Sequence, residues 1–249
     1  MSAAKKKSVA KRFRLLLEET SRLTRARADG GGLGTGEKVL AEWQCSRLAA
    51  SYADLSAQKR YEKAVDFFLT DLYGPIDFSQ RDDDIKRVYP IMVNVLSADA
   101  IESLGQGLEL NSLSMSLDQQ LLEVLVDELG FDADNEPGAL DYEMYAEGYR
   151  LCDNYAERVR QIDLIVELGE NLEEVTRKRL ILAAVKVARK PAYLAGFGEL
   201  QSFIERGLAA FKAMGSANEF LTTLHSREMR LLDAIYDDKP PPKVLNIKA

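Results

Sequence analysis

The feature that most constrains the fold is the spacing of apolar residues, which recur every three or four positions along most of the chain. In the segment 8–28, for example, Phe13, Leu16 and Leu23 fall on one face of a helix. No stretch shows the alternation of apolar and polar residues that is typical of a half-buried strand. The sequence therefore predicts an all-α protein whose helices, joined by short turns, pack as a multi-helix, bundle-like single domain.

Glycine, proline and capping residues indicate where the helices begin and end. Gly130 predicts a helix end, because glycine readily adopts the left-handed conformation that follows a helix. Ser116 and Gln119 have the spacing of a capping box and predict a helix start next to them. The longest predicted helix covers about 140–168, and Pro191 is expected in the first turn of a later helix.

Charge is distributed unevenly along the chain. Residues 1–28 carry nine Lys and Arg against two Glu, whereas the remainder carries 24 basic and 38 acidic residues. Five glycines in seven residues follow at 30–36, which predicts a flexible linker. We therefore expect a basic N-terminal helical arm with a Gly-rich linker at 1–36, a helical domain at 37–237 and a Pro-containing tail at 238–249.

Several features bear on location. The longest apolar stretch, 180–197, contains three cationic residues and Pro191, so it does not predict a membrane span. The apolar block 15–17 after the N-terminal lysines is too short for the core of a signal sequence. The two cysteines, Cys45 and Cys152, form no Cys-x-x-Cys pair and predict neither a zinc site nor a redox motif. These features predict a cytoplasmic protein.

An acidic loop offers candidate metal ligands. Asp132, Asp134, Glu136 and Glu143 occupy positions 1, 3, 5 and 12 of an EF-hand frame, but Pro137 stands where the tight turn requires glycine. The alternative is an acidic loop before a helix, where carboxylates interact favourably with the helix dipole. The four residues are candidates only, and no metal is predicted.

Two tyrosines and the single histidine are candidates for ligand binding. Tyr145 and Tyr149 lie on one face of the long predicted helix, where tyrosines either line a pocket or pack in a core. His225 lies at the edge of an apolar helix face, a position that suits a structural histidine, a haem ligand or a general base. We predict no cofactor and no catalytic residue from these patterns.

Two stretches carry a family resemblance. They read FFLTDLYG at 67–74, extending on both sides over 60–82, and GELQSFIERG at 198–207. The chain resembles a family of uncharacterised bacterial helical proteins with no assigned activity. The resemblance implies a bacterial origin, covers most of the chain after the glycine segment and assigns no functional residue.

Three hypotheses for function follow. The first is a non-enzymatic helical interaction or regulatory protein, whose partner is another protein or a second copy of the chain. The second is a small-ligand or haem-binding helical protein, including an oxygenase-like enzyme. The third is a nucleic-acid accessory protein that acts through the basic arm. Because that arm also has an apolar face, we expect it to dock on acidic protein surface, its own or a partner's, without reading nucleic-acid sequence.

Overall fold

The computed structural model describes residues 3–29, 33–72, 79–95 and 98–243. Over these ranges every regular element is a helix: the α-helices given below, one short π-helix (Phe68–Leu72) and one 3-10 helix (Pro137–Ala139). The described residues contain no strand, which confirms the all-α, single-domain prediction. The α-helices are α1 (Ala3–Asp29), α2 (Thr35–Ser51), α3 (Ala53–Ser56), α4 (Glu62–Phe67), α5 (Ser79–Val95), α6 (Ala98–Asp127), α7 (Tyr142–Cys152), α8 (Tyr155–Arg177), α9 (Arg179–Leu194), α10 (Gly198–Met214) and α11 (Asn218–Tyr236).

Helix α11 is central to the packing. Its C-terminal half contributes Leu231, Leu232 and Ile235 to a core shared with α2, α6, α7 and α8. Its N-terminal half contributes Phe220 and Leu224 to a second core shared with α2, α3, α4 and α10. One helix therefore joins the two largest apolar clusters of the described chain.

Glycine at two positions lets helices approach closely. A Cβ on Gly148 of α7 would lie 2.8 Å from Leu121 of α6, and a Cβ on Gly169 of α8 would lie 2.4 Å from Leu221 of α11. Either distance is below that of real Cβ contacts, so the missing side chain is what allows each helix pair to pack as it does.

Helix α1, which carries the N-terminal basic residues, packs on α5 and α6. Phe13 and Leu17 are buried in a third apolar cluster, and the Phe13 ring stacks on Tyr89 with centroids 5.3 Å apart. Arg12 forms an ion pair with Glu109 of α6 at 2.7 Å. Apolar burial and an ion pair thus both hold α1 on its own chain.

The predicted divisions of the chain are only partly described. Residues 30–32 of the glycine segment and 244–249 of the tail lie outside the described residues. Helix α2 begins at Thr35, so Gly36 is helical. The flexible linker, the boundary at residue 36 and the separate tail stay predictions.

The predicted helix start at Ser116 is wrong. Helix α6 continues without interruption through this position, and the Ser116 hydroxyl accepts a hydrogen bond from Gln120 Nε2 at 3.2 Å. Leu108 and Leu117 are both buried, one on each side of the predicted boundary. A single continuous helix buries both, and this outweighs the local capping signal.

The long predicted helix over 140–168 is also wrong, because the chain breaks between α7 and α8. Asp153 adopts a left-handed conformation with φ 49°, and the buried Asn154 side chain donates to Gln120 Oε1 at 3.0 Å. Pro191 lies in the last turn of α9 and not at the start of α10. Both differences depend on tertiary contacts that helix periodicity does not report.

Candidate functional site

Five helices, α2, α6, α7, α8 and α11, surround a cavity of about 50 Å³. Its wall is unusually polar for the interior of a helical domain, with two arginines, two carboxylates, two tyrosines and two glutamines beside apolar side chains. The lining residues are Gln44, Arg47, Leu48, Phe68, Asp118, Tyr145, Tyr149, Arg158, Gln161, Ile162, Ile165, Glu228, Leu231, Leu232 and Ile235.

One side of the cavity is a buried ion pair between α2 and α11. Arg47 Nη1 donates to both carboxylate oxygens of Glu228, at 2.8 and 2.6 Å, and the Tyr52 hydroxyl donates to Glu228 Oε1 at 2.7 Å. The Arg47 and Glu228 side chains are only 9% and 12% exposed. A buried charge is tolerated when it is paired and hydrogen-bonded, and this triad provides both.

The opposite side is formed by Arg158 of α8. Its guanidinium lies over the Tyr149 ring at 4.1 Å from the centroid, and Nη2 donates to the Leu117 carbonyl at 3.0 Å. Asp118 Oδ1 lies 3.9 Å from Nη1, longer than a hydrogen bond, and its side chain is about one-third exposed. Arg158 itself is 2% exposed, so its charge is held largely by an aromatic face and a carbonyl dipole.

The two tyrosines singled out in the sequence meet at this cavity. The Tyr145 hydroxyl donates to the Tyr149 hydroxyl at 2.6 Å, and the rings pack with centroids 4.6 Å apart. Burial raises the pKa of both phenols, that of Tyr149 well above its ordinary value, although nearby guanidinium groups oppose the shift. Both hydroxyls are therefore neutral donors over the physiological pH range.

Both arginines remain charged. Burial lowers the pKa of Arg47, but attraction to the Glu228 carboxylate and its hydrogen bonds outweigh burial and leave the pKa raised. Burial likewise lowers the pKa of Arg158, but its surroundings, which include the Asp118 carboxylate, leave the pKa raised. The cavity wall thus carries two permanent cations, together with the carboxylates of Asp118 and Glu228.

His225 lies apart from the two tyrosines. It occupies α11, but its Nε2 atom pairs with Asp163 Oδ1 of α8 at 3.1 Å, and both side chains are 43% exposed. His225 does not line the cavity. The structure therefore does not bring together the three residues that were candidates for ligand binding.

The four candidate metal ligands do not converge. Asp132 Oδ1 accepts hydrogen bonds from the backbone N–H groups of Asp134 and Asn135, at 3.1 and 3.0 Å, which closes the loop on itself. Glu136 precedes the 3-10 helix, and Glu143 lies in the first turn of α7. Among the residues that the structure describes, no group of three His, Cys, Asp or Glu side chains is placed to hold a metal ion.

Helix α9 presents a second unusual feature, an apolar face that is open to solvent. Leu180, Val187 and Leu194 are 86%, 77% and 90% exposed, and none of the α9 residues is fully buried. The helix is held to α10 along its other side, where Gln201 Nε2 donates to the Val185 carbonyl at 2.8 Å. Nowhere in the described chain is a helix long and apolar enough to cross a membrane.

Sequence reasoning missed Arg47, Arg158 and Glu228, although the signal for two of them was present. Arg47 follows Trp43 by four positions, and Trp43 follows Leu40 by three, so Arg47 lies on the apolar face of α2. Arg158 stands in the same relation to Ile162 and Ile165 of α8. A charged residue on an apolar helix face indicates that a buried partner exists, but the pattern does not show where in the chain that partner lies.

Comparison of the chain with known proteins identifies its family but no activity. The sequence matches the family described as Domain of unknown function (DUF8198) over residues 24–242. No curated protein and no solved structure matches the chain. The match includes every cavity-lining residue and all of α9, whereas it leaves out most of α1. The bacterial origin that the resemblance implied stays a prediction. Because the match spans most of its length, the chain belongs to the DUF8198 family.

Proposed function

We propose that this protein is a non-enzymatic helical interaction protein that binds an acidic partner protein through the outward face of α9. The observation that carries the proposal is the exposure of Leu180, Val187 and Leu194 on a helix whose opposite edge packs on the body. We call this set the α9 face.

The α9 face has the geometry of a surface that packs against another helix. The three side chains are seven residues apart, which is nearly two helical turns, so they form one stripe along the helix. Apolar residues that recur every seven positions are typical of helices that pair in coiled coils. Fully burying a Leu or Val side chain stabilises a complex by about 1.5–3 kcal/mol, so a partner that covered all three would gain substantially.

Charge indicates what kind of partner fits. The segment 175–198 contains six Lys and Arg and no Asp or Glu, although the whole chain carries a net charge of −7. Arg179 and Lys186 each precede a residue of the stripe by one position, and Lys190 follows Val187 by three. At about 100° of rotation per residue, all three cations therefore lie on the same side of the stripe. A second α9 face would bring like charges together, whereas an acidic helix with its own leucine stripe would complement both features.

The two cysteines support a cytoplasmic location, which is where the protein would encounter such a partner. Cys45 and Cys152 are free thiols, and burial raises the pKa of each. Free thiols of this kind are typical of a reducing compartment. We place the protein in the cytoplasm on this basis, and we propose no recognition of nucleic-acid sequence.

The test uses two synthetic helical peptides that share a leucine stripe and differ only in having Glu or Lys at the remaining surface positions. Fluorescence anisotropy with the full-length protein should show binding of the acidic peptide, weakening as salt rises, and no binding of the basic peptide. The triple variant Leu180→Gln, Val187→Gln, Leu194→Gln should weaken acidic-peptide binding by at least about tenfold, a loss of roughly 1.4 kcal/mol.

A matched control variant separates the α9 face from general apolar exposure. Leu15→Gln changes a leucine of α1 that is 55% exposed, and it should bind the acidic peptide as the unaltered protein does. Equal binding of both peptides, or full binding by the triple variant, would refute the proposal. Binding to vesicles of anionic lipid or to duplex DNA without peptide binding would assign the α9 face to those occupants, and concentration-dependent dimerisation that the triple variant abolishes would assign it to a second copy.

A further inference from the structure

Two regions of the chain carry opposite charge. From 88 to 149 the sequence contains thirteen Asp and Glu and no Lys or Arg, whereas the segment 175–198, which includes α9, contains six Lys and Arg and no Asp or Glu. At the C-terminal end of α6, Glu123, Asp127 and Glu128 are all exposed. The chain therefore carries an acidic surface as well as the basic surface of α9, and the two attract each other.

The acidic surface also exposes apolar side chains, as the α9 face does. Val126 of α6 is 45% exposed and Leu151 of α7 is 41% exposed. Helix α7 packs on this end of α6, because a Cβ on Gly148 would lie 3.2 Å from the side chain of Leu125. Carboxylates and apolar groups thus lie together here. The surface that we call the acidic edge consists of Glu123, Val126, Asp127, Glu128 and Leu151.

The acidic edge and the α9 face lie at opposite ends of α8. Two residues link α7 to α8 and one links α8 to α9, and α8 has 23 residues, a length of about 35 Å at 1.5 Å per residue. The N-terminal end of α8 is fixed at the acidic edge, where Asn154 donates to Gln120 Oε1 at 3.0 Å. The far end of α9 is held by α5, where Arg87 Nη2 donates to the Ala195 carbonyl at 3.3 Å. Because α5 packs on the N-terminal half of α6, around Leu108, a chain does not cover its α9 face with its own acidic edge.

Two different copies can make this contact, because the charged residues have the same spacing on both surfaces. Lys186 and Lys190 are four positions apart on α9, and Glu123 and Asp127 are four positions apart on α6. In each pair an exposed valine lies between the two charged residues. Two cations can therefore face two carboxylates while apolar side chains meet between them, which is the usual composition of a protein interface.

We infer that the partner of the α9 face is the acidic edge of a second copy of this chain, so that copies associate head to tail. This inference rests on the proposed function and names the acidic partner that it requires. Each contact uses two different surfaces, so every dimer keeps one α9 face and one acidic edge open. Association therefore continues into an open chain of copies or closes into a ring.

Sedimentation velocity of the full-length protein tests the contact. The average mass should rise above the 27.8 kDa of one chain as concentration increases, and it should fall as salt is added. The edge variant Glu123→Lys, Asp127→Lys should weaken self-association by at least about tenfold, because it places like charges opposite each other. The control Glu62→Lys, Asp66→Lys reverses two exposed carboxylates of α4 at the same spacing, with the same change of net charge, and should associate as the unaltered protein does.

Mixing two variants shows whether the contact is head to tail. The edge variant keeps its α9 face, and the triple variant Leu180→Gln, Val187→Gln, Leu194→Gln keeps its acidic edge. Each alone should remain monomeric. The mixture should form a 1:1 dimer and grow no further, because it contains one intact surface of each kind. The edge variant should also bind the acidic peptide as the unaltered protein does, which shows that it is folded.

The outcomes separate this inference from the proposed function. Loss of association in the edge variant, with its recovery as a 1:1 dimer in the mixture, supports the inference. If the acidic peptide binds the α9 face but the unaltered protein stays monomeric, or if the edge variant associates normally, the inference is overturned while the proposed function stands. If neither the peptide nor a second copy binds, both fail.

Discussion

Helices α11 and α9 are both amphipathic and similar in length, at 19 and 16 residues, yet only one of them is buried. Seven residues of α11 are buried, six of them in the two main cores, whereas α9 buries none. This difference in burial shows that an apolar helix face predicts the existence of a partner surface, but not that the partner surface belongs to the same chain.

The two helices also differ in how they use charge. Helix α11 places Glu228 inside the protein, where Arg47 and Tyr52 surround its carboxylate. Helix α9 leaves its cations at the surface, and Arg189, for example, pairs with Glu205 of α10 while 62% exposed. A buried ion pair within the chain constrains α11, while the surface charges of α9 remain available to select a partner.

The largest effect is expected from Glu228→Ala. Removing this carboxylate leaves Arg47 as a buried charge without its counterion and Tyr52 without its acceptor, so the free energy of unfolding should fall by about 3–5 kcal/mol. Urea unfolding measures the change. The control Glu62→Ala, which removes an exposed carboxylate of α4, should cost less than about 1 kcal/mol. Equal losses for the two variants would contradict a buried role for Glu228.

The second effect tests the apolar face of α11. Leu224 is 1% exposed in the second core, so Leu224→Ala should lower the free energy of unfolding by about 2–5 kcal/mol through lost burial and the cavity left behind. Chemical denaturation of both proteins gives the difference. A loss under about 1 kcal/mol would show that this end of α11 is loosely packed, as α9 is.

The third effect concerns how closely α11 approaches α8. In Gly169→Ala the new methyl group would lie 2.4 Å from the Leu221 side chain, so packing must adjust at a cost of about 1–3 kcal/mol. Gly107→Ala is the matched helical control, because a Cβ there meets nothing within 4 Å. It should stabilise the protein by about 0.5–1 kcal/mol. Thermal unfolding of both variants separates close packing from helix propensity.

The fourth effect depends on pH. Burial first, and then Glu228, raises the pKa of Tyr52 well above its ordinary value of 10.0, and burial raises that of Tyr149. The folded state therefore keeps protons that the unfolded state loses. The associated stability is complete below pH 10 and decreases as pH rises above it. Urea midpoints measured below and above pH 10 should show this decrease, and Tyr149→Phe should reduce it. A midpoint that does not change across pH 10 would argue against the burial of these phenols.

The smallest effect is expected from Leu194→Gln on α9. This side chain is 90% exposed, so the free energy of unfolding should change by no more than about 0.5 kcal/mol. The same denaturation experiment applies. A loss comparable to that of Leu224→Ala would show that the α9 face is covered by its own chain, and the comparison between the two helices would fail.

Much of the fold was predictable because helix signals are local. The helix end predicted at Gly130 is confirmed, because α6 ends at Asp127 and Gly130 adopts a left-handed conformation with φ 70°. The break at Asp153 was not predictable in this way, because a left-handed aspartate has no strong local signature. Its position depends on the fit of Asn154 against Gln120 and Tyr236.

The candidate site was predictable only in part. Tyr145 and Tyr149 were singled out because their spacing places them on one helix face, and the cavity does lie there. His225 was also singled out from its position beside an apolar helix face, yet it pairs with Asp163 outside the cavity. Whether a polar side chain on a helix reaches a shared interior depends on the rotation of that helix against its neighbours.

The sequence by itself determined that the chain is helical, which residues share a helix face and that charge is concentrated in particular segments, because these properties repeat within a few residues. The tertiary structure decided which faces are covered. Arg47 and Glu228 are 181 positions apart, and nothing in the neighbourhood of either residue specifies the other. It likewise decided that Leu194 is left open to solvent, because exposure is a property of the packed chain and not of the helix that carries the residue.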